Sequence, residues 1–466
     1  MKFTSPTLLA AAATLAGCAG FSADGGLGPA QQAAQQRLAN KELVWARSDA
    51  ERDRIDARVT KLLREPLSAD AAVQIALLHH RGLQASFHEL GIGEAELVQA
   101  SRLPNPGFSF GKFKAGDERE IERSFHFSLA RVIAMPWLRD AARMRFEATQ
   151  GAVAVRVLEH GATARKAWVQ AVAAQEGVRY AQQVMRAADA SAELARRMQQ
   201  VGNFSTLQRS REQAFYADAA LGVARAEQAE RAARERLTRA LGLWGPQTAF
   251  LLPERLPDLP AQAKDLPDVE RTALAERLDV QGARLAAQQS AAQLGLARTS
   301  RWVGDLELGL ERNSSNEKPT RRGWELGFTL PLFDGGAVAT QAEHVQRQAL
   351  LRAEQAAIDA RSEVREAYGA YRSAFDIARH HRDEIVPLRK RVQDENVLRY
   401  NGMLIGVFDL LADARLQIMS VNAAIDAQRD FWLAEADLDM ALIGKPQMTP
   451  MAGSTSPMSA GNGEAH

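Results

Sequence analysis

Two stretches of the chain alternate apolar and polar residues with the period of two that marks β-strands. In the first, Phe108 and Phe110 alternate with Ser109 and Gly111, and Phe125, Phe127 and Leu129 alternate with His126 and Ser128. In the second, Leu306, Leu308 and Leu310 alternate with Glu307, Gly309 and Glu311, and Trp324, Leu326, Phe328 and Leu330 alternate with Glu325, Gly327 and Thr329. Four strands are predicted, joined in pairs by charged loops over 114–123 and 312–323. After each pair comes a very long Ala-rich helical pattern, 138–200 without a proline and 337–398 with Pro387 alone, where a kink is predicted. Sixty residues of helix span about 90 Å, and neither stretch can bury a face by itself. The first closes with Val201-Gly202-Asn203-Phe204-Ser205 and a return helix ending at Ala240-Leu241-Gly242. The second turns at Asn401-Gly402-Met403-Leu404-Ile405-Gly406 and ends at Ala441-Leu442-Ile443-Gly444.

The same pattern thus occurs twice, about 200 residues apart, far beyond solenoid periods of about 20–50. It reads as a duplicated half-domain, with repeats over 67–244 and 268–445. The first opens on a helix N-capped by Ser68 that runs to about Ser101 and stops at Pro104 and Pro106. Between the repeats, residues 245–267 carry Pro246, Pro253, Pro257, Pro260 and Pro267, which predicts an extended linker rather than a core element. Residues 19–66 are polar and helix-prone with no clear apolar face, and the Pro, Ser, Gly and Met-rich tail over 446–466 is expected to be disordered.

Successive side chains of a strand point to opposite faces. One face of each hairpin is therefore apolar, and Glu307, Glu311 and Glu325 line the other, which must be wet. An ordinary soluble hairpin would need a partner sheet, and no other strand-rich segment exists to supply one. Apolar-out, polar-in alternation is the signature of a transmembrane barrel. Four strands cannot close one, so several subunits must share it.

Composition adds the compartment. Hydrophobic residues make up 46% of the chain, yet no apolar run approaches a membrane-spanning helix of about 20 residues. The net charge of +1 gives no argument for a nucleic-acid partner. The single cysteine, Cys18, excludes an internal disulfide. It follows Lys2, a short apolar stretch and Leu15-Ala16-Gly17, and Leu-Ala-Gly-Cys resembles the bacterial lipobox. That motif implies a signal peptide over 1–17 and a lipid-anchored segment over 18–66. Ala19 after the cysteine implies sorting to the outer membrane.

Over residues 67–445 the chain resembles the TolC-like outer membrane efflux protein family, in its lipid-anchored branch. The most specific element is Phe328-Thr329-Leu330-Pro331-Leu332-Phe333-Asp334-Gly335-Gly336. It looks like the family's passage from strand to second long helix, with Pro331, Asp334, Gly335 and Gly336 making the tight turn. Arg102-Leu103-Pro104-Asn105-Pro106, Arg277-Leu278-Asp279-Val280, Tyr400-Asn401-Gly402 and Phe408-Asp409-Leu410-Leu411 also match. The first passage, Ala134-Met135-Pro136-Trp137-Leu138, lacks the glycines.

The resemblance implies a mainly α fold with a small membrane β portion. In it a homotrimer shares a twelve-stranded β-barrel continuous with a trimeric α-barrel. It implies a passive conduit without enzymatic activity or cofactor, working with a periplasmic adaptor and an inner-membrane pump. Asp409 matches a family acidic residue at the periplasmic constriction, and Asp413 lies one helical turn on. With Tyr400 they are the candidate gate. Gly202 and Gly402 are expected to relieve strain at the helical turns; the turns at Gly202, Asn203, Gly402 and Gly406 are the candidate adaptor-docking sites, and Glu307, Glu311 and Glu325 the candidate pore-lining residues. His79-His80 and His380-His381 form no chelating face on a helix, so no metal site is assigned. The alternative is a lipid-anchored periplasmic coiled-coil scaffold without a pore.

Overall fold

A computed structural model describes residues 20–300, 306–329 and 336–448. The predicted signal peptide, Cys18, the passage residues Pro331, Asp334 and Gly335, and the tail from 449 onward lie outside them. The chain forms two compact units. The first takes in residues up to Ala33, Gln84–Arg156 and Leu278–Asp359, and the second Ala34–Leu83, Val157–Arg277 and the chain from Ala360 on. Each unit thus draws matching segments from both halves of the duplicated pattern.

In the first unit a four-stranded antiparallel sheet has the order β1 (Gly107–Ala115), β2 (Glu118–Ser128), β3 (Leu306–Ser315), β4 (Arg321–Phe328). The strands outrun the predicted ones on the hairpin side. β1 and β2 are joined by Gly116-Asp117 alone, with Gly116 left-handed at φ +63°. Glycine at the first position is what a tight two-residue turn of this hand requires. The expected loop over 114–123 is therefore mostly strand, and only 316–320 remains of the second. Asn316 ties the hairpins, its side-chain oxygen accepting from Arg119 N–H at 2.6 Å and its amide donating to Asp117 O at 3.0 Å.

At the other end of the sheet a helix, Leu129–Gln200, starts directly after β2 and carries Pro136 inside it. Sequence pattern placed Leu129 in the strand and a passage at 134–138. Pro136 is instead tolerated in the helix, where it removes one backbone hydrogen bond. The helices of this unit are tied by polar contacts. Arg156 meets Glu89 at 2.6 Å, and Gln289 donates to Met144 O at 2.6 Å. Numbered in chain order, α1 is Gly28–Arg37, α2 Asp49–Leu62, α3 Ala69–His79, α4 Arg81–Ala100, α5 Leu129–Gln200 and α6 Thr206–Leu241. Then follow α7 (Val269–Glu276), α8 (Leu278–Ser300), α9 (Ala337–His380), α10 (Val386–Asn401) and α11 (Val407–Ala441).

Among the described residues, two large apolar cores lie in the second unit. One gathers Ile55, Val59, Leu67, Trp168, Val172, Leu237 and Phe250, and the other Val364, Tyr371, Phe375, Phe431 and Leu438. Two sequence expectations are corrected here. The 19–66 segment does have an apolar face: α2, opened by a capping box between Ser48 and Glu51, buries Ile55 and Val59. The Pro-rich 245–267 segment is extended but packed, with Phe250, Leu252 and Leu256 in the first core and Leu259 in the second. Prolines supply an extended backbone that needs few hydrogen bonds, and the residues between them supply the apolar surface.

The helix expected from Ser68 to Ser101 is broken at His80, which is extended at φ −65° and ψ 112°. Arg277 breaks α7 from α8 in the same way, at φ −69° and ψ 122°, so the duplication extends to this detail. At the first break the chain passes close against the end of α6. Gly242 ends α6 in the left-handed conformation, and a Cβ there would stand 2.9 Å from the His80 Cα. His79 Nδ1 contacts Gly242 O at 2.9 Å and its Nε2 meets Asp56 at 3.1 Å. Gly242→Val is expected to lower stability by about 2 kcal/mol or more, from the left-handed backbone cost plus the clash. Thermal unfolding of the variant beside Gly222→Ala, a helical position with nothing within 4 Å, checks this.

At Pro387 the expected kink is a π-helical turn, His381–Ile385, between α9 and α10. One wider turn takes up the proline without ending the helix.

Candidate functional site

The register of the sheet decides which side chains share a face. Leu306 pairs with Phe328. Leu308 is flanked by Phe127 and Leu326, and Leu310 by Phe125 and Trp324, with Phe108 beyond Phe125. These rows lie on one face and are largely exposed, Trp324 at 73% and Phe108 at 68%. The next row toward the hairpin turns is Phe110, Arg123, Arg312 and Arg322.

The opposite face carries the three carboxylates singled out from sequence. Glu307 lies between Ser128 and Gly327, Glu311 between Ser124 and Gly323, and Glu325 beside Gly309. Three more join them on β2: Glu118, Glu120 and Glu122. Arg321 is the one strand cation on this face. Sequence reasoning missed the β2 trio by treating the whole charged run as loop. The signal was present, since Glu118-Arg119-Glu120-Ile121-Glu122-Arg123 alternates with period two. At the turn end Glu118 meets Lys318 at 2.8 Å. Of the strand-to-helix passage, Gly336 is described. It is left-handed at φ +78° and its carbonyl accepts from Thr340 N–H at 3.0 Å as α9 begins.

The second unit brings the two helical turns together. Phe204 and Val407 are buried in one small cluster with Ala195. In the first turn Gly202 is left-handed at φ +79°, and Asn203 N–H returns to Met198 O at 2.8 Å. In the second, Leu404 N–H returns to Arg399 O at 2.8 Å, but the left-handed residue is Met403 at φ +58°. Gly402, expected to relieve strain there, has φ −81° and does not. Both turns close α-helices with the same reverse bond. Their tips are apolar and open: Met403 is 93% and Leu404 77% exposed.

Asp409 lies in the first turn of α11 and accepts from Gly406 N–H at 3.3 Å. Asp413, one turn on, accepts from the Asn396 side chain. Tyr400 is 38% exposed, and its carbonyl accepts from Met403 N–H at 2.9 Å. A buried pair in the same unit escaped sequence reading. Glu212, 2% exposed, accepts both carboxylate bonds from Arg415 at 2.8 Å and one from Ser191 Oγ at 2.6 Å. The Arg415 guanidinium also lies 4.2 Å from the Phe215 ring centre. Ahead of the first turn, hydrogen bonds from Arg196 and Arg197 hold the Glu193 carboxyl down to about 2. The His80 ring lies 4.4 Å from that of His160, tilted by 43°, and burial lowers the His80 pKa. Among the described residues no group of three or more His, Cys, Asp or Glu is placed to hold a metal ion, and no helix is long and apolar enough to cross a membrane.

No protein-family model matches the chain, and no curated protein matches it in sequence. Solved structures do match. The Campylobacter jejuni CmeC outer membrane channel superposes with a TM-score of 0.68 at 16% identity, over 80% of this chain and 85% of that one. The outer membrane protein VceC of Vibrio cholerae gives 0.67 at 15% identity, over 81% and 96%. The chain has the outer membrane efflux channel fold. The open-state MtrE outer membrane channel of Neisseria gonorrhoeae extends the likeness, at 0.66 and 20% identity over 81% and 90%. The expected fold class, mainly α with a small antiparallel sheet, is the one found.

Proposed function

We propose that this chain is the outer membrane channel of a tripartite efflux system, a passive conduit from periplasm to exterior. The observation that carries the reading is the sheet. It presents an aromatic and leucine face, a face of six glutamates against one arginine, and edges at β1 and β4 that no described strand covers. Open edges do not survive in lipid, where every backbone polar group needs a partner. Three copies pairing β4 to β1 close a twelve-stranded barrel with the apolar face to lipid and the glutamates to the lumen. Strands of 8 to 11 residues have the length this requires. A coiled-coil scaffold without a pore has no use for such a sheet.

In this reading residues 1–17 are a signal peptide, Cys18 is the lipid anchor and the trimer sits in the outer membrane. The repeats over 67–244 and 268–445 each supply a hairpin and a helix pair. The exposed tips around Gly202, Asn203, Gly402 and Gly406 receive the periplasmic adaptor, which links the channel to an inner-membrane pump. Asp409 and Asp413 ring the closed end with carboxylates, and Tyr400 holds the turn. A ring of carboxylates favours cations.

The test is reconstitution of the detergent-solubilised trimer in planar bilayers under a salt gradient. The zero-current potential is expected to show cation preference, reduced when Glu307, Glu311 and Glu325 are all changed to Gln. Asp409→Asn keeps an acceptor for Gly406 N–H while removing the charge, so a rise in closed-state leak reports the gate. A monomer that forms no channel would overturn the whole reading, and an unchanged leak would remove Asp409 from the gate.

A further inference from the structure

The apolar face of the sheet gives way to cations toward the hairpin turns, with Phe110 and Ile121 its last apolar side chains. Beyond Trp324, Leu310 and Phe125, the three central and outer strands present Arg123, Arg312 and Arg322 side by side. Lys112, Lys114 and Arg119 follow on the same face, Lys114 directly opposite Arg119. That makes six cations and no carboxylate on this side, while six glutamates occupy the other. Cross-strand neighbours lie about 5 Å apart, so the arginines repel one another unless an anion is supplied from outside. Among the described residues none of the six side chains is in an ion pair. The glutamates cannot serve, because alternation sends them to the opposite face.

We propose that this belt binds the phosphate groups of lipids in the leaflet at the hairpin ends, the outer leaflet, seating the barrel on phosphorylated headgroups. The inference rests on the membrane-barrel reading above. Charge complementarity and position both select this occupant. The cations begin where the apolar rows stop, which is where headgroups begin, and their long side chains reach along the strand toward the interface. Guanidinium forks in a row match phosphate oxygens, which accept paired hydrogen bonds. A protein partner would have to approach through the bilayer.

Native mass spectrometry of the intact trimer tests it, with bis-phosphorylated lipid A and the same lipid stripped of both phosphates as probes. The wild-type trimer is expected to retain the phosphorylated lipid in preference to the stripped one. Combined Arg123→Gln, Arg312→Gln and Arg322→Gln should cut that preference by about a hundredfold, the sum of three cations at a charged lipid surface. Arg321→Gln, the cation on the opposite face, should leave it intact. Equal retention of the two lipids, or equal loss in both variants, would overturn the proposal while the trimer mass upheld the channel. A chain that forms no trimer would remove both.

Discussion

Arg415→Ala is expected to destabilise the second unit by about 3 kcal/mol, because it strands a buried carboxylate. Glu212 is 2% exposed and receives Arg415 through both oxygens at 2.8 Å. After the substitution only Ser191 Oγ, at 2.6 Å, remains to satisfy it. The loss is therefore that of an unpaired buried charge rather than of an exposed pair, which contributes about 0–1 kcal/mol. Adding Glu212→Gln to Arg415→Ala should restore a large part of the stability, since the neutral amide still accepts from Ser191 without carrying a buried charge. Guanidinium unfolding followed by circular dichroism gives both values. A loss for Arg415→Ala below about 1 kcal/mol would show that Glu212 reaches water, and the pair would then hold nothing together.

The position of this pair explains why it was illegible. Glu212 and Arg415 are some 200 residues apart, and Glu212 sits amid other charged residues, Arg209 and Arg211 among them, on a polar-looking helix. Nothing in local spacing distinguishes Glu212 from its solvated neighbours; only packing does. The same limit applies to the Pro-rich segment, where Phe250, Leu252 and Leu256 look like apolar residues of a linker until Trp168 and Leu237 are brought to them.

Elements set by short-range rules were legible. Ser68 caps its helix by accepting from Ala71 N–H at 3.1 Å, and Gly242 ends another, as their residue types require. The alternation of Leu306 to Leu310 and Trp324 to Phe328 fixed the faces of two strands, since a one-residue slip would invert every side chain. Errors arose where charge was equated with loop, as over 114–123, and where glycine was equated with the strained position. At the second helical turn the reverse bond selects the residue before Leu404, which is Met403, so the left-handed conformation falls there at a cost of about 1–2 kcal/mol. The residues proposed for the gate belong to a third class. Asp409 and Asp413 are placed by helical period, but the proposed ring of carboxylates would be a property of several copies, of which one chain carries only an arc.

The largest effect expected on assembly comes from two neighbouring substitutions with opposite outcomes. Leu326→Arg places a charge in the middle of the apolar rows, between Phe328 and Trp324 on the face shared with Leu308. Near mid-depth this costs about 2–4 kcal/mol per copy, and a trimer carries three copies. Assembled, heat-resistant trimer should fall at least tenfold. Glu325→Arg, one residue away, lies on the glutamate face beside Gly309 and His126, which in the proposed barrel is the wet lumen. Trimer yield should stay near wild type, with any change confined to ion preference. The natural arginine at 322 shows why depth matters. It lies on the same face as Leu326 but four residues nearer the hairpin turn, past Trp324, where in the proposed barrel a guanidinium would reach headgroups. Semi-native gel mobility of outer membrane extracts reads both variants. Equal yields would mean that the leucine and aromatic rows do not face lipid. Loss in both would mean that both faces are packed against protein, as in a soluble sheet, and either result would exclude a barrel wall.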